Sequence, residues 1–275
     1  MTTTRQLIAS DPGLMAGWEP GAPVGDSLVR RFLHAFGEAG AVVAGAMDGT
    51  VVRTDDLILT DAGRPAGFSN RVMLLRPLGV TPVAETLATI DEATAGGTGE
   101  VVIFSAWPTP DLRGSGWKLE GHPPLMLRVP GPGRPPVPDG LEIAPVTDAA
   151  GLRDVERVAI EGFPLDELRG APPGSMLNER VLADPRQHLW VASADGRPVA
   201  VADALVEAGV VSVNLVATRP EARGRGYGAA VTWAATEVAG LPAMLLASDA
   251  GRPVYERMGY LTLTRFTCWS RRRPG

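Results

Sequence analysis

From Leu141 onward, apolar runs alternate with polar turns in an order that predicts the elements one by one. Leu141–Val146 reads as a strand, and 149–160 as a helix with Asp148 as its N-cap. Residues 161–174 are irregular, and 175–183 reads as a second helix. Leu189–Ser193 and Pro198–Val206, joined by the turn Ala194-Asp195-Gly196-Arg197, read as a hairpin. Glu207-Ala208-Gly209 turns the chain into an apolar strand, 210–218. A helix-like run, 228–239, follows, then a strand at 244–247, a short helix holding Tyr255, and a last strand ending at Trp269.

Between strand 210–218 and its helix lies Arg223-Gly224-Arg225-Gly226-Tyr227-Gly228. Strand, glycine-rich turn and helix in that order suit an anion. Glycines let backbone N–H groups close on it, and the helix adds its positive dipole end. The run lacks the Gly-Lys-Ser/Thr ending of a nucleotide P-loop, and it reads G-x-G-x-G rather than the dinucleotide G-x-G-x-x-G. An arginine-rich surface turn stays open on these six residues alone.

Wider context narrows the choice. Residues 216–228, Val-Ala-Thr-Arg-Pro-Glu-Ala-Arg-Gly-Arg-Gly-Tyr-Gly, resemble motif A of the GNAT acetyltransferases, Q/R-x-x-G-x-G/A after a bulged strand. Residues 248–260 resemble the family's motif B, N-x-x-A-x-x-x-Y-x-x-x-G-F, with Ser248, Gly251 and Tyr260 in place of Asn, Ala and Phe. The resemblance covers roughly residues 139–275 and implies the α+β GNAT fold, a mixed central sheet flanked by helices, antiparallel early and parallel at a splayed centre. It implies acetyl-CoA as co-substrate, its pantetheine arm along Val216, Ala217 and Thr218, with N–H groups near Ala217 and Thr218 on the thioester carbonyl. Its pyrophosphate would rest on Arg223, Gly224, Arg225, Gly226, Tyr227 and Gly228, and Ala229 and Ser248 are further coenzyme-binding candidates. Tyr255 is the implied general acid, and the base is open, with Asp203 and Glu207 as candidate carboxylates and a water relay as a substitute. The segment 161–166 falls where the family builds its acceptor pocket, so Glu161, Phe163 and Asp166 are pocket candidates, an ordinary exposed loop being the other reading.

Val129–Gly140 is dense in proline and glycine and reads as a semi-rigid linker that halves the chain. The two halves look related. Arg76-Pro77, Ser105, Pro110 and Gly116-Trp117 recur as Arg219-Pro220, Ser248, Pro253 and Gly259-Tyr260, all at an offset of 143 residues. A second match, Gly63-Arg64-Pro65 with the hairpin turn Gly196-Arg197-Pro198, needs an offset ten residues smaller. In place of the glycine turn the first half has Val80–Glu85, without glycine and with Pro82 and Glu85, and Leu112 stands for Tyr255. The expected organisation is therefore two GNAT-like domains in tandem: a degenerate, non-catalytic one over 1–128, a linker over 129–139 and a catalytic one over 140–275. One acetyl-CoA per chain is expected, with the first half as scaffold, pocket wall or regulator.

Composition limits the partners. A net charge of −5 argues against nucleic acid, which leaves an RNA-binding Arg-Gly segment with little electrostatic footprint. No run reaches membrane-spanning length, and the N-terminus lacks a signal-peptide core. With Cys268 the single cysteine, no intrachain disulfide can form and a cytoplasmic location fits; the thiol reads as structural. His34, His122 and His188 lack ligand spacing, so no metal is expected. Arg271-Arg272-Arg273 reads as a solvated end. The leading reading is an N-acetyltransferase acting by direct transfer on a small-molecule amine, a protein or peptide amine being less favoured and a homodimer open. The alternative is an acyl-CoA-binding sensor or regulatory module without turnover.

Overall fold

The computed structural model describes residues 28–65, 69–163 and 165–273, with the side chain of Asp166 outside that description. In the first half, α1 (Leu28–Ala46) leads to β1 (Thr50–Arg53), β2 (Leu57–Asp61) and β3 (Asn70–Leu74). Helix α2 (Val83–Thr94), β4 (Glu100–Ser105), β5 (Lys118–Gly121) and β6 (Pro124–Arg128) follow. The second half runs β7 (Leu141–Pro145), α3 (Ala149–Gly162), β8 (Gln187–Ala194), β9 (Arg197–Glu207), β10 (Val210–Thr218) and α4 (Tyr227–Glu237). It ends with β11 (Ala243–Leu246), α5 (Arg252–Arg257), β12 (Leu261–Arg265) and β13 (Thr267–Arg272). In each half the early strands are antiparallel and the central pair, β3 with β4 or β10 with β11, is parallel. Mixed sheets of this kind bear out the expected α+β class.

The 143-residue offset holds through the structure: β3 falls within β10, α2 on α4, β4 on β11, β5 on β12 and β6 on β13. The second match does not hold. Gly63, Arg64 and Pro65 lie beyond β2, whereas the hairpin between β1 and β2 turns earlier, where the Thr54 hydroxyl accepts the N–H groups of Asp56 and Leu57.

The last strand of each half belongs to the sheet of the other. Strand β6 lies between β11 and β12, antiparallel to both, and β13 lies between β4 and β5, also antiparallel to both. Strand pairing thus crosses the expected boundary at 128–129 in both directions. The late apolar run is accordingly two strands in different sheets, not one. The arginine triplet is not a solvated end either. Arg273 is buried against Asp61 and the Thr98 carbonyl, and Arg271 pairs with Asp91 and stacks on Trp117 at 4.5 Å. Docked strand residues lose the solvent that a free tail keeps.

Helix α1 fills the space between the sheets, touching β2 and β3 on one side and β9 and β10 on the other. Small residues permit this: a Cβ on Gly37 would lie 2.8 Å from Ile58 Cδ1. Phe32, Ile58 and Met73 of the first half share one apolar cluster with Val210, Met244 and Phe266 of the second. Cys268 belongs to it, and burial pushes its thiol up to about 12, which fits the structural role.

Asp148 caps α3 as expected, accepting the Gly151 N–H at 2.8 Å. The helix expected over 175–183 shrinks to a 3₁₀ segment, Glu179–Ala183. Buried Glu156 on α3 explains the loss: its carboxylate takes the N–H groups of Gly174, Met176 and Leu177 at 2.7, 2.7 and 2.8 Å, so that stretch is wrapped around a side chain instead.

Candidate active site

The centre of the second sheet comes apart at β10. Its ladder with β9 runs to Asn214↔Asp203 and resumes at Ala217↔Val201, so Leu215 and Val216 bulge opposite Ala202. Leu215 takes the left-handed conformation, φ 43°, to make the bulge. On its other edge β10 pairs with β11 only at Val211↔Ala243 and Ser212↔Met244. From Val213 to Thr218 that edge has no strand partner among the described residues. Arg219 donates to Val199 of β9 at 2.9 Å, so by ladder alternation Ala217 also faces β9, while Val216 and Thr218 turn their N–H groups to the gap.

The strand runs straight into the glycine turn. Gly224 and Gly226 have φ of 77° and 80°, where other residues are strained, and Gly226 is the N-cap of α4. The N–H groups of Gly224, Arg225 and Gly226 carry no backbone partner among the described residues, and residues 223–226 are exposed. A Cβ on Gly224 would meet nothing within 4 Å, so the hollow is open. Gly228 serves differently: a Cβ there would lie 2.7 Å from Thr218 Oγ1, so glycine lets α4 close on the strand. The two arginines part company. Arg223 turns back to the carbonyls of Gly162 and Thr218 at 2.8 and 3.3 Å, whereas Arg225 has no partner among the described residues.

Tyr255, on α5, packs in the same apolar cluster as Val216, Tyr227 and Ala229, its ring edge-on to Tyr260 at 5.9 Å. Its hydroxyl has no hydrogen-bond partner among the described residues, and burial pushes the phenol up to about 12. Ser248 is occupied locally, accepting the Gly251 N–H at 3.1 Å where the chain turns into α5.

Where β10 and β11 part, a cavity of about 320 Å³ opens toward the first half. Val213, Asn214 and Leu215 of β10 and Leu246 of β11 line it together with Asp203, Phe163, Leu165 and Leu177. Phe36, Val43, Ser69, Arg71 and Phe104 of the first half close it. Asp203 accepts from Gln187 Nε2 at 2.8 Å; desolvation raises it to about 6, with Gln187, Arg71 and Asn214 pulling the other way. Of the pocket candidates the structure brings Phe163 to this cavity. Glu161 instead pairs with Arg219 at 3.0 Å and lines a separate surface hollow, and Asp166 lies in a 3₁₀ turn whose side chain is outside the described residues. Glu207 sits apart, held by Arg186 at 2.6 Å. Arg71 and Ser69 escaped the sequence reading because they lie in the half that lacks the glycine turn. The arginine inside the apolar stretch of β3 was the available signal.

Residues 185–261 match the model of the acetyltransferase (GNAT) domain. The chain carries a GNAT domain. No curated protein sequence matches the chain significantly. Solved structures resemble most of its length. A GCN5-related N-acetyltransferase from Kribbella flavida is 22% identical, with a TM-score of 0.61 over 87% of this chain and 96% of that one. A functionally unknown conserved protein from Staphylococcus epidermidis is 12% identical, at 0.56 over 83% and 96%. A tandem GNAT protein from the clavulanic acid biosynthesis pathway is 15% identical, at 0.50 over 88% and 96%. At these identities the likeness speaks for the fold: the GNAT arrangement, present twice.

The first GNAT-like half lacks the features that open the second. Strands β2 and β3 stay in unbroken register from Leu57↔Leu74 to Asp61↔Asn70, without a bulge. Strand β3 pairs with β4 up to Met73↔Phe104, so that gap is filled. Helix α2 starts after Pro82, which has no N–H, and carries Glu85 in its first turn. An anion loses one donor there and meets the repulsion of Glu85. Among the described residues no group of His, Cys, Asp or Glu is arranged to hold a metal, and no helix is long and apolar enough to cross a membrane.

Proposed function

We propose that this chain transfers the acetyl group of acetyl-CoA to the amine of a small molecule, by direct transfer in the second half. One observation carries the reading. The splayed edge of β10 joins an open glycine turn on one side to a cavity holding a buried carboxylate on the other. GNAT acetyltransferases use acetyl-CoA, and the residues here fit it. The free N–H groups of Gly224, Arg225 and Gly226, with the Arg225 charge, suit a diphosphate. The unpaired edge at Val216 and Thr218 suits an amide-bearing arm laid along it like an extra strand. The coenzyme supplies the acetyl thioester.

The chain's own groups move the protons. Asp203, at about 6, is ionised at neutral pH and stands at the cavity wall, where it or a water on it receives the proton of an ammonium. The Val216 and Thr218 N–H groups point to where charge develops on a carbonyl laid against the gap. Tyr255 stays protonated and offers its hydroxyl to a departing sulfur. A free thiol titrates near ~8.5, below the buried phenol, so the hydroxyl acts as a hydrogen-bond donor to the developing thiolate.

Incubation with acetyl-CoA and a panel of small amines, followed by thiol release, tests the proposal. Release is expected with at least one amine, and Tyr255→Phe should slow it about 10²-fold while calorimetric acetyl-CoA binding stays near that of the parent. Binding without release across a broad panel would make the chain an acyl-CoA sensor instead. Unchanged turnover in Tyr255→Phe would remove the phenol as acid.

A further inference from the structure

The proposed reaction uses one polar group of the cavity, Asp203. Arg71 and Ser69 line the same cavity, contributed by β3 and the residue before it in the first half. Arg71 is 8% exposed and Ser69 2%. Arg71 Nε and Ser69 Oγ are buried without a hydrogen-bond partner among the described residues. Among the described residues the guanidinium reaches one acceptor, the Phe36 carbonyl, at 3.5 Å, and lies over the Phe36 ring at 4.7 Å. It feels the charge of Asp203, yet no direct ion pair joins them. Buried guanidinium nitrogens and hydroxyls are nearly always satisfied, so an arginine held this way beside an empty space implies an acceptor that fills it.

The arginine is also held in place. A Cβ on Gly40 of α1 would lie 3.0 Å from Arg71 Nε and 3.1 Å from its Cδ, so the bare helix backbone packs against the side chain. Apart from Asn214 of β10, the remaining walls, among them Phe36, Phe104, Phe163, Leu165 and Leu177, are apolar. A volume of about 320 Å³ is at the small end for a ligand pocket.

We infer that the acceptor is a small zwitterion of the amino-acid type with an apolar side chain, its carboxylate held by Arg71 and Ser69 and its amine turned toward Asp203 and the β10 bulge. This rests on the acetyltransferase reading of the second half. It makes the non-catalytic half the one that selects the substrate.

Calorimetric titration of the full chain tests it with L-phenylalanine and L-leucine, each against its decarboxylated amine, phenethylamine and 3-methylbutylamine. The amino acids should bind at least about tenfold tighter than the amines, the yield of a charge-assisted hydrogen bond. Arg71→Gln should bring that ratio near one, and Ser69→Ala should lower it by a smaller factor. If Arg71→Gln fails to fold, the ratio in the parent and in Ser69→Ala still decides. Equal binding of acid and amine, or no binding of either amino acid at millimolar concentration, overturns the inference. Acetyl-CoA titrated into the same preparation separates the two failures. If it binds while the amino acids show no advantage, only the substrate assignment falls. If it does not bind, the acetyltransferase reading falls, and the amino-acid ratio judges the cavity on its own.

Discussion

Replacing Asp203 with Asn should make the protein more stable at neutral pH and less active. Desolvation raises the Asp203 carboxyl from an ordinary 3.8 to about 6. At about 1.4 kcal/mol for each tenfold change in proton affinity, the ionised form costs the fold about 3 kcal/mol. The sign follows from where the proton sits. Between 3.8 and about 6 the folded state holds a proton that the unfolded chain has lost, so stability falls as pH rises through that window. Above it the whole cost is present, and well below 3.8 none is. Asn keeps an oxygen for the Gln187 amide but carries no charge, so it escapes the cost; the attraction to Arg71 that it gives up is already counted in the net rise to about 6. The pH-dependent difference is therefore the quantity to read. About 1 kcal/mol of the cost is already present at pH ~4.5, so the stability of Asp203→Asn relative to the parent should rise by about 2 kcal/mol between pH ~4.5 and ~7.5. Urea unfolding of both proteins at the two pH values measures it, since every other titrating group is common to both. Thiol release with acetyl-CoA and an amine should meanwhile fall in the variant, and in the parent it should climb as pH passes about 6. A relative stability that is flat or falls with pH would refute the reasoning, because Asp203 would then not be a desolvated anion.

Two further outcomes are expected. Gly226→Ala has room for its methyl, with Pro138 Cγ 3.6 Å away, but must hold φ 80°, which costs about 1–2 kcal/mol in an L-residue. Calorimetry should show acetyl-CoA affinity reduced by about tenfold or more, and unchanged affinity would mean the turn is not the diphosphate site. Residues 140–275 produced alone lack β6, the strand between β11 and β12, and leave β13 without the sheet it joins. Urea should give no cooperative transition for this fragment, and co-expression with residues 1–139 should restore one. A fragment that folds and binds acetyl-CoA by itself would show that the strand exchange is dispensable.

The local grammar of this chain was legible in its residues. Asp148 before an apolar-periodic run, the Asp195-Gly196 turn between two strands, and glycines between β10 and α4 each act over a few residues, where capping, turn geometry and backbone freedom decide the outcome. The internal repeat was legible too, because a constant offset survives as long as both copies keep one order of elements. What the sequence did not disclose depends on partners far along the chain. Strands β6 and β13 are buried on both faces over most of their length, and nothing local says which half each will join; that depends on edges supplied by segments far along the chain. The same holds for Glu156, which unmakes a helix 18 to 21 residues away by taking its donors, and for the arginines at the end of β13, which look solvated until a sheet receives them. Residue chemistry named Asp203 as a candidate, but only packing set it on the same cavity as Arg71, since α1 lies between the two sheets that carry them. Short-range forces can be read from neighbouring letters, whereas burial and charge pairing are properties of a space that no single segment encloses.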